Sequence, residues 1–401
     1  MRILFVNAYL PMYDRASADL RMFTLVRLLA AHGHTCIFCA YNYASQQRSL
    51  GDAKVAMYRA SLEQEGVTVC LCAVEKVLKQ KRFEVVYFKY FFTAERHIAS
   101  VRIWQPGCRV IVDSVDLAYA RLLAKADMSG LHDERTKAEE IKRREIATYA
   151  SADLVITITD QDDEILKRDF PSANTYVIPN IHTIHRLKRK ECEHPSLLFI
   201  GTFEHEPNVD AVLYFKREIW PLIEAKIEDV IWTVVGPDPS DEILEIASDR
   251  ILIKGFVPDT LPYLLRTWVS IAPLRYGAGM KGKVGEAMAA GVPVVTTGFG
   301  IQGMNVVSGK HLLVADDPES FAAQLVRLLK NKELRDMIGM AAQDFIASRY
   351  SLEAVDQILQ ELFGDVSKMP APKRLPFRMT RKAFLQAHTF LQRHLLWRFR
   401  V

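Results

Sequence analysis

Residues 271–296 read Ile-Ala-Pro-Leu-Arg-Tyr-Gly-Ala-Gly-Met-Lys-Gly-Lys-Val-Gly-Glu-Ala-Met-Ala-Ala-Gly-Val-Pro-Val-Val-Thr. An apolar run leads into a glycine-rich turn, and a helical pattern follows. Gly277, Gly279 and Gly282 let backbone N–H groups come close to an anion. The start of a helix adds the positive end of its dipole. Lys281 and Lys283 add two full charges. In chemical terms this is a phosphate site. The three glycines also match G-x-G-x-x-G, but a dinucleotide site wants an acid about 20 residues later. No Asp or Glu occurs between 287 and 315. The acid here is Glu286, inside the helix, with two readings. Its carboxylate accepts hydrogen bonds from both ribose hydroxyls of a nucleotide, or it makes an i,i+3 pair with Lys283.

Other residues of the right types each have a plainer reading beside the chemical one. Asp113 and Asp116 follow a strand and either orient an acceptor hydroxyl or cap a strand-to-helix turn. His205 follows a strand end that should face a cleft, where it could touch a bound donor. Asp160-Gln-Asp162 is a formal D-x-D, but an Asp at a helix start caps it, so no metal site is expected. Cys36 and Cys39 have the spacing of a zinc half-site, with Cys70 and Cys72 nearly so. A spacing of three in a strand puts Cys36 and Cys39 on opposite faces, which favours buried thiols in a reducing compartment. His182, His185 and His194 read as solvated linker residues.

These residues need a frame. An apolar share of 49% in 401 residues supports large cores and two to three domains. It excludes a disordered chain, a collagen-like fibre and a disulfide-framed miniprotein. The longest apolar runs, such as 292–297, are far short of the roughly 18 residues of a membrane span, and residues 1–7 do not read as a signal peptide. A cytoplasmic protein is expected. Strand-like segments at 3–9, 35–41, 67–74, 85–90, 109–113 and 155–159 alternate with helical ones. The pattern restarts at 197–201, 230–235, 251–255, 269–273 and 292–296. The prediction is an α/β protein of two tandem Rossmann-like doubly wound domains, residues 1–180 and 181–350, facing a cleft. A helix over 351–365 is expected to cross back to the first domain, and a basic amphipathic tail covers 366–401.

With that order of elements, the loop at 271–296 resembles the donor-site signature of retaining glycosyltransferases of the GT-B fold, family 4. Phe199 to Asp210, Gly255-Phe256-Val257-Pro258 and the segment Asp14 to Arg21 resemble further family pieces in the right order. The resemblance covers most of residues 1–360. It implies that a nucleotide-sugar binds mainly the second domain: Gly201 and His205 beside it, Gly255, Phe256 and Val257 at the base, Lys281 and Lys283 on the diphosphate, Glu286 on the ribose. It implies an acceptor on the first domain, at Asp14, Arg15 and Arg21, with Asp113 and Asp116 as catalytic candidates. The nucleotide-sugar is a substrate, and no cofactor or metal is implied. Four positions depart from the family: Ala118 where a His is common, Ala278 in place of the first acid of E-x7-E, Gln302 where many relatives have Glu, and Glu204 where a basic residue is frequent.

The expected function is therefore transfer of a sugar, with retention, to a glycan or lipid-linked acceptor in surface polysaccharide or glycolipid synthesis. The departures keep two rivals open: a non-catalytic nucleotide-sugar or glycan-binding scaffold, and an epimerase of the same fold. Net charge is +4 overall, yet residues 366–401 hold nine Lys/Arg and no acid. The preceding 365 residues thus carry 43 basic against 48 acidic side chains. Phe384, Leu385, Phe390, Leu391, Leu395, Leu396, Trp397 and Phe399 lie among the basic residues of the tail, a pattern that suits an anionic membrane surface; nucleic acid is not expected.

Overall fold

The computed structural model describes residues 1–187, 189–276, 281–366, 368, 369 and 372. Two parallel sheets organise them. The first contains β1 (Arg2–Asn7), β2 (Thr35–Ala40), β3 (Thr68–Cys70), β4 (Val85–Lys89), β5 (Arg109–Asp113), β6 (Leu154–Thr157) and β7 (Thr175–Val177) in the order β3-β2-β1-β4-β5-β6-β7. The second contains β8 (Ser196–Ile200), β9 (Ile231–Val235), β10 (Ile251–Gly255), β11 (Val269–Ala272), β12 (Val294–Thr296) and β13 (Leu313–Val314) in the order β10-β9-β8-β11-β12-β13. The strands are near-continuous apolar runs because helices cover both faces of a parallel sheet. In β1 every residue after Arg2 is buried. Cys36 and Cys39 face opposite sides of the first sheet, one in each of its two cores. Burial raises both thiols, Cys36 to about 12, so they are inert buried groups.

Strand order reverses between β1 and β4 in the first sheet and between β8 and β11 in the second. Loops after these strands diverge there and leave a crevice beyond the carboxyl ends. Tyr90 follows β4, Gly201 follows β8, Leu274 follows β11, and all three line one shared cleft.

Several local features differ from the sequence expectation. The helical stretch near 209–223 runs as an α-helix Glu206–Tyr214, a wide π-turn Phe215–Ile219 and a short helix Trp220–Glu224. Pro221 has no N–H and its ring excludes the carbonyl four residues back, so the ladder widens there. At the D-x-D the cap is Thr159, not an aspartate: its Oγ1 accepts from Asp162 N at 2.9 Å. After the helix Pro318–Lys330 come Lys332–Tyr350 and Leu352–Val366. The last inserts Val355, Leu359, Leu362, Phe363 and Val366 into the core that holds Ile3, Phe5 and Leu25 of the first sheet's domain. Among the described residues, no helix is long and apolar enough to cross a membrane. The tail beyond Val366 lies almost wholly outside the described residues.

Candidate functional site

The cleft between the two sheets encloses about 860 Å³. Two helices begin at its centre. Helix Ser17–Ala31 follows the Asp14–Ala16 loop, and helix Gly282–Ala289 follows the glycine-rich turn. Neither N-cap residue, Ala16 or Lys281, supplies a side-chain cap. The first N–H groups of a helix lack intrahelical acceptors, so both positive ends open onto the cleft. They nearly touch: a Cβ on Gly282 would lie 3.0 Å from Ser17 Oγ. Only a residue without a side chain lets the two ends come this close.

Lys281 and Lys283 project beside these helix starts and line the cleft. Lys283 Nζ donates to Asn208 Oδ1 and sits 4.3 Å from the centre of the Phe199 ring. Burial, with the repulsion of Lys281, pushes the Lys283 ammonium down to about 7. Burial also pushes Lys281 down to about 8, against the pull of Asp162 and Asp116. Two lysines whose charged form is disfavoured by burial gain from an anion placed beside them. A Cβ on Gly201 would stand 2.9 Å from both Asn208 and Lys283 Nζ, so a larger residue there would displace these side chains.

Four residues along its helix from Gly282, Glu286 lines the cleft and accepts from Thr260 Oγ1. Burial raises its pKa. No ion pair joins it to Lys283, whose ammonium points to Asn208 instead. Gly255 adopts φ 65° at the end of β10, and the turn brings Phe256 and Val257 to the cleft wall. Phe256 is 44% exposed, with the Arg15 guanidinium of the opposite domain 5.9 Å over its ring. His205 opens onto the cleft. Partial enclosure and the charges of Lys283, Arg121 and Lys281 lower its pKa. Gly277 and Gly279 lie outside the described residues.

On the first domain the structure corrects two expectations. Asp113 is fully buried. It accepts from Arg21 Nη1 and, at 2.6 Å, from the Tyr87 hydroxyl, so it has no face for an acceptor. Arg21, 1% exposed, also donates to the carbonyls of Ile178 at 2.8 Å and Pro179 at 3.2 Å. Arg21 therefore ties the first helix to β5 and to the start of the interdomain crossover rather than binding acceptor. Asp19 works alike: it accepts from Lys89 Nζ and from Met12 N at 3.0 Å. Asp14, Arg15 and Asp116 do reach the cleft. Asp14 accepts from the Tyr58 hydroxyl at 2.6 Å, and Asp116 from Arg121 Nε at 2.9 Å.

Sequence reasoning missed four cleft residues. Thr260 and Asn208 hold the side chains of Glu286 and Lys283. Tyr90 and Val115 take φ 68° and 63°, in a region that side-chain-bearing residues rarely adopt. Each such residue stores strain of order 1–3 kcal/mol and persists where surrounding structure over-determines it. Both lie just past the ends of β4 and β5 and line the cleft. His182 is corrected as well. It is buried, not solvated, and its ring lies against Gly285, where a Cβ would come within 2.3 Å of Nε2. Burial holds it neutral, with a pKa of about 4.

Residues 194–331 match the family model described as glycosyl transferases group 1. A protein of Klebsiella pneumoniae, described as an uncharacterized 44.6 kDa protein in the cps region, is 24% identical over 198 residues. That match spans 47% of this chain and 51% of the relative, so the chain covers about half the length of its curated relative. Among solved structures, Anabaena HepE in complex with UDP and glucose is similar over 91% of this chain and 99% of its own, with TM-score 0.69 and 13% identity. Sucrose-phosphate synthase from Thermosynechococcus elongatus is similar over 92% and 100%, with TM-score 0.66 and 15% identity. TarM of S. aureus, solved with UDP and α-GlcNAc-glycerol, is similar over 72% of this chain and 58% of its own, with TM-score 0.58 and 16% identity.

Proposed function

We propose that this chain, which has the GT-B fold and carries a group 1 glycosyltransferase domain over residues 194–331, transfers a sugar from a nucleoside-diphosphate sugar to a glycan or lipid-linked acceptor. The observation that carries the reading is the meeting of two helix starts without side-chain caps in a cleft that Lys281 and Lys283 also line. A diphosphate leaving group develops negative charge as the glycosidic bond breaks. Fixed positive groups already aimed at it stabilise that charge without reorganisation. Glu286, one helical turn further, takes the ribose hydroxyls, and the Phe256–Val257 wall takes the base. The cleft-facing first-domain residues Asp14, Arg15 and Asp116 belong to the acceptor side. Uracil is the base we assign, by analogy with HepE and TarM, both solved with UDP. The Klebsiella relative's description, a protein in the cps region, supports a role in surface polysaccharide synthesis.

In the mechanism we favour, the configuration at the anomeric carbon is retained. The acceptor oxygen attacks on the face the diphosphate leaves, the bond from the anomeric carbon to the phosphate oxygen breaks, and the acceptor proton passes to that departing oxygen. With Asp113 withdrawn into an ion pair, this route needs no carboxylate nucleophile. The lysines and helix ends supply the charge that a metal supplies elsewhere. The basic tail would hold the enzyme at an anionic membrane surface, where a lipid-linked acceptor resides.

The test incubates the full chain with UDP-glucose, UDP-galactose and UDP-N-acetylglucosamine, and follows UDP release and sugar product. Release of UDP from one of these donors, lost in Lys283→Ala, is expected. A protein whose melting temperature does not respond to millimolar UDP would overturn the reading, because a ligand that binds the folded state stabilises it by mass action. Recovery of an epimerised nucleotide-sugar in place of UDP would assign the epimerase chemistry.

A further inference from the structure

The same cleft is lined by a pair of aromatic rings that the donor reading does not use. The Tyr90 and Phe92 rings stack with centroids 5.0 Å apart and planes inclined by 16°. Both line the cleft, and Phe92 is 47% exposed there. From below, the Lys89 ammonium lies 4.9 Å from the Tyr90 ring centre, itself fixed by its bond to Asp19. The backbone of Tyr90 is held at φ 68°, and its N–H donates to Asp113 O at 2.8 Å. With this positive φ, the Tyr90 side chain lies on the cleft wall.

We propose that Tyr90 and Phe92 form the stacking platform for the pyranose ring of the acceptor. This inference rests on the glycosyltransferase reading above and names the acceptor class for it. A pyranose is amphipathic: one face presents C–H groups and its rim presents hydroxyls. The wall matches that division. The exposed face of Phe92 offers a flat apolar surface, while Asp14, Arg15, Asp116 and Arg121 line the same cleft with polar groups for the hydroxyl rim. An acyl or isoprenoid chain would instead need an apolar groove that is not interrupted by two carboxylates and two guanidiniums. The occupant is therefore a sugar, whether free at the end of a glycan or linked to lipid.

The experiment is saturation-transfer difference NMR on the full chain saturated with UDP. The probes are methyl β-D-glucopyranoside, methyl β-D-galactopyranoside, methyl α-D-mannopyranoside and a short polyprenyl phosphate. UDP affinity is measured by calorimetry on each sample. At least one pyranoside is expected to receive saturation, strongest on the ring protons of one face. Phe92→Ala should weaken it about tenfold with UDP affinity unchanged, and Phe92→Trp should restore it. An undiminished pyranoside signal in Phe92→Ala would overturn the platform, as would saturation of the polyprenyl phosphate alone or of no probe. Loss of UDP binding in the unaltered protein would instead sink the underlying transferase reading, so the two failures are distinct.

Discussion

Raising the pH from 7 to 9 should lower affinity for UDP far more than affinity for uridine. In the free protein the Lys283 ammonium is held down at about 7 and that of Lys281 at about 8. The diphosphate replaces the lost water with negative charge, so both pKa values rise in the complex and binding takes up protons. The sign follows. Affinity is full below the free-state values and falls as pH rises through them, until the higher bound-state values are reached. Between pH 7 and 9 the deprotonation of Lys283 in the free protein weakens binding by about 50-fold and that of Lys281 by about tenfold if both are charged in the complex, roughly several hundred-fold together. A terminal phosphate with a pKa of about 6 is largely ionised by pH 7. The uracil N3–H, which begins to ionise at the top of this range, affects uridine and UDP alike, so the difference between the two ligands isolates the diphosphate. Calorimetry in two buffers of different ionisation heat gives the protons directly: about half a proton taken up at pH 7, rising toward about two at pH 9. Lys283→Met should remove the component centred near 7. A UDP affinity that stays level from pH 7 to 9, with no proton uptake, would refute the placement of the diphosphate between the two lysines.

Two further outcomes follow from the site. Glu286→Ala should cost about 1.5–3 kcal/mol of uridine as well as UDP affinity, because it removes an enclosed carboxylate acceptor; equal affinities by calorimetry, with the melting curve unchanged, would remove Glu286 from the ribose site. Arg21→Met should lower unfolding stability by about 3–5 kcal/mol, since it leaves the Asp113 carboxylate buried without its cation; a urea midpoint unchanged from the parent would mean that the pair is not what holds the first helix to β5.

The placement of Lys281, Lys283 and Glu286 on the cleft could be read from the chain because these residues are neighbours in sequence. Glycines, two lysines and a helical pattern within a dozen residues act through local geometry, and strand ends in a doubly wound sheet point such loops at the same place. The parallel sheets were equally plain in the apolar runs. What could not be read were pairings made by folding. Arg21 and Asp113 lie 92 positions apart, and each alone looks like a residue free to meet a substrate. Only their meeting turns two candidate functional groups into one buried strut. His182 looked solvated because it sits in a polar linker, yet a glycine on a distant helix makes room to bury it. The positive φ of Tyr90 has no signature in residue type, because the usual marker of that conformation is glycine.

The helix Leu352–Val366 has a consequence for how the protein is made. Its five apolar side chains complete the core around Ile3, Phe5 and Leu25, yet it is translated long after the strands it covers. At about 5–20 residues per second, some ten to forty seconds separate the emergence of the first sheet from that of its last covering helix. During that time the nascent first domain shows an uncovered apolar face to the ribosome surface and to chaperones. The second domain can close its own core meanwhile. Once this helix has emerged, its docking seals the first domain and sets the second linkage between the two domains. A stop codon near position 350 would leave every strand of both sheets encoded and still release a first domain unable to finish folding.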